Sequence, residues 1–176
     1  DGKLLVCGNG GSAADAGHIV GEMMNKFAFN RPIPEQDRKR LAALGFPDWE
    51  KLAGHLERCL PSICLSAQSP LVTAISNDVD AGMIFAQQVY GYGKRGDVLF
   101  ALSTSGNSLN VVNAVKIAKL REMKSIALTG SGGGALATLC DVAIRVPEAV
   151  TWKIQELHLP VYHALCAMVE AEFFGG

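Results

Sequence analysis

Short runs of apolar residues, each closed by glycine or small polar residues, alternate along this chain with longer stretches whose apolar positions return every three or four residues. Residues 3–7 (KLLVC) form such a run, ending at Gly8, and residues 62–65, 97–102 (DVLFAL), 124–128 and 142–146 form four more. Runs of this length without polar alternation predict strands buried on both faces. Between them the periodicity predicts helices over residues 11–27, 71–76, 81–92, 109–121 and 152–173. Ser12 is placed to cap the first of these, Asn77-Asp78 to separate the second and third, and Pro160 to kink the last. Residues 30–34 (NRPIP) break the first helix, and two charged helical stretches follow, 35–44 and 49–60. Their apolar positions are Leu41, Leu44, Trp49, Leu52, Leu56 and Leu60. The order β-α-(α-α)-β-α-β-α-β-α-β-α predicts one α/β domain over residues 1–176, with a parallel sheet covered by helices on both faces.

Composition narrows this picture in a few places. At 176 residues the chain is long enough for one domain with a substantial core, and 49% apolar against 19% charged residues is the balance of a soluble α/β domain. The net charge is −1 and no Lys/Arg run stands out, so nucleic-acid binding has no electrostatic support. No apolar stretch is long enough to span a membrane, and no signal-peptide pattern is visible. The five cysteines are scattered without a CxxC or zinc-finger spacing, and read as buried free thiols of a cytoplasmic protein.

The candidate chemistry lies in three strand–turn–helix junctions built from small polar residues. These are Gly8-Asn9-Gly10-Gly11-Ser12, then Ser103-Thr104-Ser105-Gly106-Asn107-Ser108, then residues 129–134 (TGSGGG). Beyond the carboxyl ends of parallel strands, helix N-termini present free N–H groups, glycines allow close backbone approach, and hydroxyls add donors. Four hydroxyls within six residues suit a phosphate with several acceptor oxygens. No GxxxxGK[ST] occurs, which argues against a nucleoside triphosphatase. Gly8, Gly10 and Ala13 fit G-x-G-x-x-A, but no second strand with an acidic end follows that helix, so no nucleotide cofactor is expected. His18 and Glu22 stand four residues apart on one predicted helix and share a face, an arrangement open to acid–base work or chelation.

GNGGSAADAGH, ALSTSGNS, ALTG and KIQELHLPVYH, in that order, resemble the sugar isomerase (SIS) domain family, and within it the bacterial phosphoheptose isomerases. The resemblance covers nearly the whole chain apart from about residues 33–60, and implies a three-layer αβα sandwich around a five-stranded parallel sheet, flavodoxin-like in outline. It implies conversion of sedoheptulose 7-phosphate to D-glycero-D-manno-heptose 7-phosphate, an aldose–ketose isomerisation of heptose biosynthesis. Carried over by motif, Ser103, Thr104, Ser105 and Ser108 bind phosphate, and Asn9, Gly10, Ser12, Asn77 and Asp78 line the sugar site. Glu22 matches the family's base and His163 its acid, while His18, Glu22, Gln155 and His163 match a zinc ligand set. Because eight helical residues rise about 12 Å, Gln155 and His163 are not expected to reach one metal from the same helix. One of them is therefore expected from a neighbouring subunit of a homo-oligomer, a tetramer by resemblance, with active sites at the interfaces.

The chain departs from the family pattern in three ways: the insertion at about 33–60, expected as a lid or an interface; Trp152 where a polar or acidic residue is expected; and a first strand that begins two residues into the sequence, where family members usually carry a helix before it. Two rivals stay open, a non-catalytic or regulatory phosphosugar-binding SIS protein, including the replication-initiator-binding type, and an isomerase of another phosphosugar.

Overall fold

A computed structural model describes residues 2–175. Five strands, β1 (Leu4–Cys7), β2 (Ser62–Cys64), β3 (Val98–Leu102), β4 (Lys124–Thr129) and β5 (Val142–Arg145), form one all-parallel sheet in the order β2-β1-β3-β4-β5. Period-two alternation sorts their side chains between two cores. Leu5, Cys7, Leu99, Ala101 and Ala127 face α4 (Ser69–Asp78), α5 (Ile84–Tyr92), α6 (Leu109–Leu120) and α7 (Leu136–Leu139). Val6, Phe100, Leu102 and Leu128 face α1 (Gly11–Met24) and α8 (Thr151–Phe174). Helices on both faces explain why the strands carry unbroken apolar runs.

The chain leaves β1 to one side for β2 and returns to the other side for β3. The topological switch point therefore falls between β1 and β3, where ligands of open α/β sheets bind. The turns beyond these two strands are residues 8–12 and 103–108. At the opposite end of the sheet, beside α8, lies an apolar groove of about 600 Å³ lined by Leu4, Met23, Leu60, Val98, Phe100 and Phe173.

Several element ends differ from the periodicity. α1 stops at Met24 because the N–H groups of Phe27, Ala28 and Phe29 donate to the Glu170 carboxylate of α8 instead of continuing the helix. Ser12 is not its cap. The cap position is Gly10, with φ 54°, and Ser12 is buried inside the first turn. The second charged helix, α3 (Trp49–His55), packs on α2 (Glu35–Ala43) and ends five residues early. Residues 56–60 run extended because Glu57 bridges Pro32, Arg58 N–H donates to Arg31, and Leu60 N–H donates to Met23. Asn77-Asp78 does not break its helix. α4 runs through Asp78, and the break comes at Asp80, whose carboxylate accepts from Gly82 N–H. α8 continues through Pro160, whose ring lies on an exposed stretch of the helix.

Candidate active site

The three small-residue turns meet at the carboxyl edge of the sheet and hold one another. Asn9 and Asn110 exchange side-chain amide hydrogen bonds of 2.8 and 2.9 Å, tying the first turn to the start of α6. Gly106, at φ 67°, presses against the backbone of Gly133 and Gly134, so a side chain there meets both strain and collision. Gly130 N–H donates to Thr104 (3.0 Å), Leu136 N–H to Gly106 (3.1 Å) and Ala135 N–H to the Asn107 side chain (2.9 Å). The second and third turns are thus one interlocked unit.

Within it Ser103 is buried, Thr104 and Ser108 are half-buried, and Ser105 is exposed. Ser103 and Ser108 share a hydroxyl–hydroxyl bond of 3.0 Å, and Ser105 Oγ accepts from Asn107 N–H. Ser108 is the cap residue of α6, but its side chain makes no capping bond, which leaves the dipole of a twelve-residue helix open at the turn. Asn77 and Asp78 are exposed and bond to each other at 2.7 Å, and the residues after them, around Gly82, pack on Leu109.

α1 and α8 lie side by side, with Gly11 next to Gln155, His18 next to His163, and the segment after α1 against Glu170. This pairing brings His18, Glu22 and His163 together. One ligand atom from each lies within 4.8 Å of the others. His18 Nε2 stands 3.0 Å from Glu22 Oε1, and the His18 and His163 rings meet edge to face at 5.0 Å. Phe27 covers the other side of His163, whose buried Nε2 has no hydrogen-bond partner among the described residues.

Gln155 stands apart. Its amide covers the Cα of Gly11, seven residues and about 10 Å along α1 from His18. Of the two residues expected to be divided by helical rise, His163 is therefore the one that joins His18 and Glu22 within a single chain. His55 is exposed and bonds its own helix, and His158 is fully buried, where burial lowers its imidazole pKa.

Sequence reasoning missed three residues at the site. Tyr162 places its hydroxyl 2.9 Å from His18 Nδ1 and 3.4 Å from Asp15 Oδ1. Burial pushes the Asp15 carboxyl up, opposed by the Tyr162 hydroxyl and by His18; burial also drives the Tyr162 phenol far up. Asp15 shares a face of α1 with His18 three residues on, which is the one hint the spacing held. Tyr162 and Asn110 contact partners more than a hundred residues away.

The SIS domain family matches residues 46–130. Phosphoheptose isomerase 2 of Campylobacter jejuni is 41% identical over 173 residues, covering 98% of this chain and 73% of that protein. Phosphoheptose isomerase of Shewanella baltica is 42% identical over 175 residues, covering 98% and 76%. Among solved structures, phosphoheptose isomerase from Neisseria gonorrhoeae superposes with a TM-score of 0.76 at 38% identity over 97% of this chain and 77% of that one. The enzyme from Francisella tularensis gives 0.76 at 35% over 96% and 76%.

Proposed function

The chain belongs to the phosphoheptose isomerase family of SIS-domain proteins, and on that premise we propose that it interconverts sedoheptulose 7-phosphate and D-glycero-D-manno-heptose 7-phosphate with Glu22 as base and His163 as acid. The observation that carries this reading is the convergence of Glu22, His18 and His163 on the helix that leaves the first of the three turns, with His18 about 10 Å along α1 from Gly11. A seven-carbon chain spans about 10 Å from its first carbon to a terminal phosphate, at roughly 1.2 Å of reach per bond. With the phosphate held by Ser103, Thr104, Ser105 and Ser108, a chain of that reach is what carries C1 and C2 toward the carboxylate in this reading.

The proton balance is simple. Glu22 takes the proton from C1 of the ketose and returns it to C2 of the enediol, while His163 serves the O1 and O2 oxygens. A carboxylate and an imidazole, half-buried side by side, are the groups that such a transfer needs. Asn9, Gly10 and Ser12 line the sugar, and Asn77 and Asp78 close its rim.

A zinc ion fits the donor set. Two imidazoles and a carboxylate are the donor types that zinc takes, and the buried Nε2 of His163 has no hydrogen-bond partner among the described residues. His18, Glu22 and His163 would hold the ion, which would supply a Lewis acid for the substrate's oxygens. Gln155 completes the set from a neighbouring subunit of a homo-oligomer, which we take to be a tetramer of a cytoplasmic enzyme. The insertion helices α2 and α3 are a lid or an interface of the same domain.

The test is Glu22→Gln. Turnover of sedoheptulose 7-phosphate is expected to fall by about 10²–10⁴-fold while the phosphosugar still binds. Near-normal turnover would overturn the assignment of the base.

A further inference from the structure

We propose that Asp15 and Tyr162 form a positioning relay that holds His18 as its Nδ1–H tautomer, so that the lone pairs of His18 Nε2, Glu22 and His163 converge on one cation. The inference deepens the zinc reading of the site and rests on it only for the identity of the ion.

The argument is a proton inventory. A tyrosine hydroxyl carries one proton. Two acceptors compete for that of Tyr162: His18 Nδ1 at 2.9 Å and Asp15 Oδ1 at 3.4 Å. Asp15 has no other donor among the described residues, and its Oδ2 is buried without any partner. Given to His18, the Tyr162 proton strands a carboxylate with no hydrogen bond at all, the costlier outcome for a buried acceptor. Given to Asp15, it leaves the Tyr162 oxygen free to accept the Nδ1–H of His18, and each of the three groups then has at least one partner.

A neutral His18 held this way has a bare Nε2. That nitrogen stands 3.0 Å from Glu22 Oε1, and the buried Nε2 of His163 is without a hydrogen-bond partner among the described residues. Electron pairs directed together in this way are a donor set for one cation. The relay thus does for His18 what an outer-shell carboxylate does for a metal-bound histidine, with a phenol interposed. Tyr162 is itself buried and packs edge to face on both imidazoles, so its hydroxyl cannot swing away without unpacking the cluster.

Two variants test this in the whole protein. Tyr162→Phe removes the relay oxygen and keeps the ring. Asp15→Asn keeps the shape but offers an amide donor to Tyr162, which turns the phenol proton toward His18. The first readout is the ¹⁵N spectrum of the histidines in metal-free protein at pH 8. His18 is expected as Nδ1–H in the parent, with that bias lost in Tyr162→Phe and reversed in Asp15→Asn. The second is zinc affinity by chelator competition, expected to fall about 10–100-fold in both variants, with unchanged thermal unfolding of the metal-free forms as the control. An Nε2–H tautomer in the parent, or a tautomer indifferent to both changes, overturns the relay. Should the parent take up no zinc, the metal reading of the site falls, and the tautomer alone decides the relay.

Discussion

A cluster of hydroxyls binds an anion only if the hydroxyls do not exhaust one another. Ser103 and Ser108 share a single bond, so one proton is spent between them and the other remains free. Ser105 uses its oxygen as an acceptor and keeps its proton. Ser108→Ala therefore removes a donor to a charged group, worth about 1.5–3 kcal/mol, and is expected to raise KM for the phosphosugar by about 10–100-fold with kcat within a few-fold. A comparable fall in kcat with KM unchanged would place Ser108 in the chemistry instead of the anchor. The hydroxyl turn and the His18–Glu22 pair were legible in the sequence because each is local, within six and five residues. Tyr162, Asp15 and Asn110 were not, since nothing in a one-dimensional pattern says that residue 162 lies over residue 18.

At the scale of elements, the buried pair Arg31–Glu170 organises the end of α1. The Arg31 guanidinium bonds Glu170 at 2.6 Å and also caps the carbonyls of Met23 and Glu22, while Glu170 gathers three backbone N–H groups. Burial alone would raise the Glu170 carboxyl, but the backbone N–H groups and Arg31 hold it below its ordinary range. Glu170→Gln leaves Arg31 buried and uncompensated, and is expected to cost about 3–5 kcal/mol in urea unfolding at pH 7. A milder case sits at the sheet's edge. The side-chain and backbone donors of Ser125, with Lys124, lower Asp141 to about 2. A carboxyl depressed in the folded state adds stability above its unfolded pKa and loses it as the pH falls, here from about 4 down to about 2. Asp141→Asn is expected to flatten the pH dependence of unfolding over that window, measured by denaturant midpoints at pH 5 and pH 2.5. The strands were legible because burial on both faces writes itself as unbroken apolar runs. The helix ends were not: α1 is cut short by a carboxylate 143 residues away, and α3 by the pairing of residues 56–60 with residues 31 and 32.

For the molecule as a whole, the position of Gln155 carries the most weight. Its amide lies over Gly11, out of reach of the trio in its own chain. If it serves a neighbour's trio, Gln155→Ala and Glu22→Ala subunits reassembled together regain part of the activity that each lacks. Glu22→Ala mixed with His163→Ala is expected to regain none, because those two side chains meet within one chain. Recovery in the second mixture and not the first would reverse the assignment. The parallel sheet and both helical layers followed from the alternation of elements, whereas the proposed sharing of a site between copies has no signature beyond one awkward helical spacing. The interlocked turns also bear on redesign. Gly106 keeps its shape only because Gly133 and Gly134 lie against it. A transplant of residues 103–108 into another parallel sheet would carry the hydroxyls but lose their arrangement. The portable form of the proposed phosphate site is the pair of loops after β3 and β4, moved together with the two strands that set their spacing.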